Sequence, residues 1–403
     1  MGTRANGTGV ALEPSSLGDA LIALIAETTS VPASELQVVV ELVGRAIGAA
    51  SARVLIADYG LVSLLELGED GPTGPRQAID GTIAGRAFAR GDVVVSGDGP
   101  VTVHVPLAEG SERLGVLELI HESWTDEIGS LIDPIVRVLV LVLISKRRYT
   151  DVVLRGRRSE PLSLAAEMQW TLLPPLTCST SRVSVSGILE PAYTIGGDSF
   201  DYALNPDGLE FAIVDAMGHG MSAVATSALA INGLRNARRE RLGLDGAYLS
   251  TGAAIESQLG PDVFATAQIG SLSVDSGHLT WLNAGHPPPL LVRHGSFVGE
   301  LACRPSLPMG LSGEVMAIET EVLEPGDRVL FYTDGVTEST SAEGEPFGFD
   351  RLVDRLVQAS LDGTSPAETV RRLSSAILAY NAVTLSDDAT LLLLEYHGPD
   401  QTV

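Results

Sequence analysis

Phe211–Gly220 reads FAIVDAMGHG, and the reading of the whole C-terminal half turns on it. Apolar strand residues run up to Asp215, a glycine-rich turn follows, and small residues from Met221 to Leu234 continue as a helix. The device recurs on either side. Ile188–Tyr202 (ILEPAYTIGGDSFDY) is a strand entering a Gly-Gly turn that holds Asp198 and Asp201. Leu279–Leu291 (LTWLNAGHPPPLL) is a strand closed by a rigid turn, and Asp327–Glu338 (DRVLFYTDGVTE) is a strand presenting Asp334 at a glycine. Ser386–Leu394 (SDDATLLLL) sets Asp387 and Asp388 before a terminal apolar strand.

Strands that each end in an aspartate beside a glycine or small residue bring carboxylates from distant sequence to one sheet edge. Oxygen donors without a His or Cys cluster select Mg²⁺ or Mn²⁺ over zinc. More than two converging carboxylates are too negative for one hard ion, so two cations are expected, about 3.5–4 Å apart. Such a pair activates water and clamps an in-line displacement at phosphorus, which is metal-assisted phosphate-ester hydrolysis. Taken singly, each motif has a plainer reading. GGDSF is similar to the loop of diguanylate cyclases, but Ser199 stands where an acid is needed. DAMGHG is similar to the nucleotide loop of histidine kinases, but Met217 stands where a glycine is needed. Asp334 and the pair Asp387-Asp388 read alone as turn residues, as do His219 and His286.

Together and in order, GGDSFDY, DAMGHG, NAGHPPPLL, LPMGL (Leu307–Leu311), YTDGVTE with FGFDRL behind it, and DDATLLL resemble the PPM-type protein phosphatases. The nearest branch is the SpoIIE/RsbU-like one, which dephosphorylates anti-anti-sigma factors. Ala165–Pro175 (AAEMQWTLLPP) is similar to the short helix that precedes that catalytic domain. The resemblance runs from about Leu162 to Tyr396 and implies an α-β-β-α sandwich, two antiparallel sheets flanked by helices with the metals at one end. Helices at Arg351–Leu361 and Pro366–Asn381 would cover an outer face. Asp215 would bridge the two cations, with the carbonyl of Ala216 as a further ligand. Asp198 would hold one cation, directly or through water, and Asp334 and Asp387 the other. Asp388 would orient Asp387. Gly196, Gly197, Gly218 and Gly220 would let the backbone approach the metals. His219 lies near the site without an assigned step, and Asn283 and His286 belong to the turn's framework. The attacking group would be a bridging hydroxide, so no side-chain nucleophile is required, and the phosphate-gripping arginine of some relatives has no counterpart here.

The N-terminal half is α+β. Helical spacing from Leu17 to about Ala50 is split by Val31-Pro32, and residues 52–67 alternate as strands around Asp58-Tyr59-Gly60. GTIAGRAFARGDVVV (81–95) and the strand pair VHVPLAEGSERLGVLELI (103–120), followed by an exit helix, resemble a GAF domain. His104 and His121 read as packing or surface residues. Val138, Val142, Ser145, Tyr149 and Val152 form a coiled-coil-like stripe, suited to packing on the sensor or to pairing two copies. The basic run Lys146 to Arg158 is a solvated face or a docking face. The organisation expected is a disordered leader (1–16), a GAF-like α/β sensory domain (17–125), a helical linker (126–175) and the phosphatase domain (176–403).

Composition narrows the partners. Twenty-six Lys and Arg against 51 Asp and Glu give a net charge of −25, which disfavours nucleic acid and anionic lipid. Two distant cysteines fit a reducing, cytoplasmic setting, and neither has an Arg six positions on, as a cysteine-nucleophile phosphatase requires. The N-terminus has no apolar signal region. Ile135–Ile144, interrupted by Arg137, falls short of the roughly 20 residues of a membrane span. The expected function is a Mn²⁺- or Mg²⁺-dependent serine/threonine phosphatase, acting on a phosphorylated anti-anti-sigma-type protein under control of a signal at the GAF-like domain. The competing readings are a catalytically silent scaffold for the same partners and a nucleotide cyclase built on GGDSF.

Overall fold

The computed structural model describes residues 17–399 apart from 110, 111, 195, 312, 382–384 and 386. The expected leader, 1–16, lies outside the described residues. Two compact units divide the chain, with the main boundary between Ser159 and Glu160.

The first unit begins with α1 (Leu17–Ser30), α2 (Leu36–Ala46), β1 (Ser51–Ala57), β2 (Ser63–Gly68) and β3 (Gly71–Ala78). It continues with α3 (Ile83–Arg90), β4 (Val94–Ser96), β5 (Val101–Glu109), β6 (Glu112–His121), α4 (Asp126–Lys146) and α5 (Val152–Gly156). The strands make one sheet in the order β3-β2-β1-β6-β5-β4. The turn expected at 58–60 forms because Asp58 Oδ1 accepts the backbone N–H of Val62 at 2.9 Å and of Ser63 at 3.1 Å. Strand β3 has no period-2 signal. Its sequence, GPTGPRQA, is tolerated because it is a mostly exposed edge strand, the place where proline does least harm to a ladder.

The expected linker 126–175 is corrected. It is helical, but α4 and α5 belong to the first unit and the next helix to the second. Ile132, Ile135, Val136, Leu139, Val140 and Leu143 recur every three or four residues and are buried with Val40 of α2 and Leu117 of β6. The expected stripe through 138–152 is not one helix face. Helix α4 stops at Lys146, Tyr149 is exposed, and Val152 is buried at the start of α5. The length argument against a span is corrected too, since Ile128–Lys146 has 19 residues with mean hydropathy 2.1, enough to cross a membrane by length and composition. One face of that helix packs into the unit's core.

The second unit opens with α6 (Leu164–Leu172), β7 (Thr177–Ser179), β8 (Val183–Glu190), β9 (Asp198–Asn205) and β10 (Gly208–Ala216). Then come α7 (Met221–Arg239), α8 (Leu244–Leu259), β11 (Ala265–Leu272), β12 (His278–Ala284), β13 (Leu290–Arg293) and β14 (Ser296–Glu300). It ends with β15 (Glu319–Val322), β16 (Arg328–Tyr332), α9 (Asp334–Glu338), α10 (Phe349–Leu361), α11 (Pro366–Tyr380) and β17 (Ala389–Tyr396). One sheet runs β15-β12-β11-β10-β9 and the other β14-β13-β16-β17-β8-β7. Their inner faces share a core that includes Val185, Phe200, Phe211, Trp281, Phe331 and Leu392. Phe211 and Phe331 meet across it with ring centroids 4.7 Å apart. Helices α7 and α8 cover the first sheet, where Ala223, Ala230 and Ile231 pack on Ala212 and Val214. Helix α11 covers β8 and β17. The architecture is the expected α-β-β-α sandwich.

Asp201 shows how this scaffold is held. Buried on β9, it receives Arg235 at 2.7 Å and Arg238 at 2.9 Å from α7, and Arg235 also donates to the Leu172 carbonyl that ends α6. Replacing it (Asp201→Ala) leaves two mostly buried guanidiniums without a counter-charge, so the unfolding free energy drops by about 3 kcal/mol. Urea titration of the pure protein checks this, and a loss under 1 kcal/mol would contradict it.

Candidate metal centre

Two adjacent strands set the first pair of carboxylates. In the antiparallel register of β9 and β10, Asp198 lies directly opposite Asp215. Across the other sheet, β16 and β17 pair Tyr332 with Leu391, so Asp334, just after β16, and Asp387-Asp388, just before β17, fall at the same end. The four residues expected as ligands are therefore brought together by register. The expected glycine turn at Asp334 is the first residue of short helix α9. A side chain at Gly335 would place its Cβ 1.9 Å from the Asp388 carbonyl, so only glycine lets that helix start beside the aspartate loop.

The electrostatics tie these groups to one another. Asp198 is buried, and its carboxyl is pushed well above the usual range by desolvation, then by Asp215 and Asp388. Burial, followed by Asp334, Asp387 and Asp388, raises Asp215 to about 7. Asp334 is raised by burial and by Asp387, and Asp388 by burial against hydrogen bonds that partly offset it. Every charged neighbour named in these shifts is another carboxylate. Among the described residues no lysine or arginine is one of those charged neighbours, so the cluster's charge suits a cation. Among the described residues no three His, Cys, Asp or Glu side chains already converge on one point in ligand geometry. The carboxylates thus stand close enough to repel one another without forming a closed cage.

The surrounding groups fix the ligands. Asp198 Oδ2 accepts the Thr333 hydroxyl at 2.7 Å, which leaves its other oxygen free of that bond. Asp388 takes the backbone N–H of Gly196 at 2.9 Å and of Asp198 at 3.2 Å, so it clamps the Gly-Gly-Asp turn. Its backbone also meets Asp387, as expected, for Asp387 Oδ1 accepts the N–H of Asp388 at 2.9 Å. A Cβ at Gly197 would fall 2.4 Å from the Ala216 carbonyl, so glycine is what admits that oxygen to the turn. His219 is exposed on its loop. His286 is buried, and Asn283 clasps it by two 2.8 Å bonds, N–H to Oδ1 and Nδ2 to carbonyl. Thr333 and Thr266, which faces Asp215 across the ladder, carry no sequence signal, because a threonine beside an aspartate or on a strand is commonplace. The all-oxygen donor set, the charge and the glycine-lined approach fit hard divalent cations, Asp215 feeling the charge of Asp334 and Asp387, and Asp198 that of Asp215.

Residues 205–397 match the family model for Stage II sporulation protein E (SpoIIE). The phosphoserine phosphatase RsbU of Bacillus subtilis is 22% identical over 287 residues, covering 69% of this chain and 83% of that protein. Among solved structures, the RsbU and RsbW domains of a Mycobacterium tuberculosis protein are 28% identical, with a TM-score of 0.47, over 55% of this chain and 63% of that one. The PP2C domain of SiaA from Pseudomonas aeruginosa is 21% identical, with a TM-score of 0.48, over 58% of this chain and 94% of that one. Over most of its length the C-terminal unit is thus similar to the SpoIIE family and to RsbU, a phosphoserine phosphatase.

Proposed function

We propose that this chain is a divalent-cation-dependent phosphatase that removes phosphate from serine or threonine of a regulatory protein of the anti-anti-sigma type, with its N-terminal unit a GAF-like sensor controlling the rate. The observation that carries the reading is the cluster of carboxylates at one end of the sandwich with no basic residue among the charges that shift it. Homology to a phosphoserine phosphatase supports the substrate class.

Two Mn²⁺ or Mg²⁺ ions bound there would acidify a water and neutralise charge on the phosphoryl oxygens. The protein's part is positional. Asp215 would contact both ions, Asp334 and Asp387 would hold one, and Asp198, with the Ala216 carbonyl, the other. Thr333 restricts the Asp198 carboxylate, and Asp388 keeps the turn bearing Asp198 closed against β17. The exposed loop Met217–His219, next to Asp215 in sequence, would be where a protein substrate approaches.

The test is hydrolysis of an aryl phosphate and of a phosphoserine peptide by the full chain, with Mn²⁺, with Mg²⁺ and with chelator. Turnover that appears with cation and vanishes on chelation is expected. Saturable cation binding without turnover on either substrate would instead support a silent scaffold. For the sensor, a fragment beginning at Glu160, the start of the second unit, is expected to hydrolyse the same substrates at a rate different from the full chain. Equal rates across candidate signals would remove the sensory role.

A further inference from the structure

Behind Asp215 lies a line of polar side chains that runs through Thr266 to His286. In the β10–β11 ladder Asp215 is paired with Thr266, whose side chain is the one neighbour that favours the ionised carboxylate. On its far side Thr266 Oγ1 lies 2.8 Å from His286 Nδ1. The ring is held by the Asn283 clasp, by Gln268 Nε2 donating to the Pro287 carbonyl at 3.0 Å, and by a bridge between Ala267 and Gly285. Its Nε2 is turned toward the Tyr332 backbone but makes no hydrogen bond of normal geometry. Gly285 takes φ 75°, which lets the chain reverse so that the ring faces back into the sheet.

Proton counting gives this line a direction. A threonine hydroxyl has one hydrogen. When Asp215 is ionised, as cation binding requires, that hydrogen belongs on the bond to the carboxylate. Thr266 Oγ1 must then accept from the ring, which puts the single proton of a neutral imidazole on Nδ1. We infer that His286, acting through Thr266, is a positioning residue that holds Asp215 in the orientation in which it meets a divalent cation. The sequence motif NAGHPPPLL is then a device for aiming one carboxylate from behind, in addition to a rigid turn. Burial keeps the ring neutral, pushing its pKa down to about 3, so the relay needs no charged histidine. Groups behind metal ligands matter at this level elsewhere, at about 10–100-fold in metal affinity.

The inference rests on the metal-centre reading above, and its test separates the two. Mn²⁺ binding to the full chain is measured by calorimetry for wild type, Thr266→Val, Thr266→Ser, His286→Leu and His286→Asn, beside the cation-free melting temperature of each. Thr266→Val and His286→Leu are expected to weaken binding by about 10–100-fold, while Thr266→Ser and His286→Asn, which keep the hydroxyl and a donor near Nδ1, recover most of it. The double variant Thr266→Val/His286→Leu should bind no more weakly than Thr266→Val alone, because both cut one line. In Mg²⁺-loaded protein, ¹⁵N shifts of the His286 ring should report Nδ1 protonated. Wild type that binds no Mn²⁺ would overturn the metal centre itself. Normal wild-type affinity with an unchanged affinity in Thr266→Val, additive losses in the double variant, or a ring protonated at Nε2 would each overturn the relay alone. If His286→Leu does not fold, the valine and serine variants at 266 and the ring shifts still decide.

Discussion

Asp215→Asn should abolish turnover while making the cation-free protein more stable. The amide is nearly isosteric, so the strand register opposite Asp198 and the ladder to Thr266 are kept. What is lost is the negative charge that both cations would share. A fall on the order of 10³-fold in kcat/KM is expected, about 4 kcal/mol of transition-state stabilisation. Without cation the same change removes one charge from a group of aspartates that raise one another's pKa. The unfolding free energy in chelator at pH 8 should therefore rise by about 1 kcal/mol, as happens when a site strained for function is relaxed. Activity assays and urea titrations on the same preparations read both effects. Unchanged turnover would remove Asp215 from the centre, and a loss of cation-free stability would mean that its carboxylate is doing structural work. Asp201→Ala is the control with the opposite sign, since that aspartate is held by two arginines.

The contrast between Asp198 and Asp201 marks how far the sequence could be read. Both lie in GGDSFDY, three residues apart on one strand. Sequence pattern identifies the strand, the Gly-Gly turn and the candidates, because apolar period and glycine chemistry are local properties. Which aspartate faces a cation and which faces Arg235 depends on α7, whose arginines lie more than 30 positions away. The same limit hid Thr333 and Thr266, whose partners come from other strands. It also hid part of what Asp388 does: its backbone N–H meets Asp387, as expected, but its carboxylate grips the N–H groups of Gly196 and Asp198. In the first unit the alternation of β1 and β2 and the capped helix α3 were legible. Strand β3 was not, because an exposed edge strand rich in Gly and Pro has no buried face to impose a period. The division of residues 126–175 between two units was likewise invisible, since a helix that feeds a core and a helix that links domains share the same 3.6-residue pattern.

Cation binding should tighten steeply with pH below neutrality and level off above it. The sign follows from the raised carboxyls. In the cation-free fold Asp215 releases its proton at about 7, whereas its unfolded counterpart does so near the ordinary 3.8. Between those two values the folded state holds a proton that the unfolded chain has lost. Stability of the cation-free protein therefore falls as pH rises through that window and flattens beyond about 7. A divalent ion needs the ionised carboxylate, so below pH 7 it must displace that proton, and above pH 7 it need not. One displaced proton makes the apparent Kd for Mn²⁺ or Mg²⁺ drop about tenfold per pH unit between pH 5 and 7, with little change from 7.5 to 8.5. Calorimetry in two buffers of different ionisation enthalpy should detect close to one proton released at pH 6 and a smaller fraction at pH 8. The melting temperature gained from a fixed Mg²⁺ concentration should be greater at pH 8 than at pH 5.5, because the ion then both occupies its ligands and quenches repulsion that protons quench at low pH. A pH-independent Kd with no proton release would mean that Asp215 is already ionised at pH 6. The carboxylates would then be too far apart to act as one centre, and the case for two cations sharing Asp215 would fall with it.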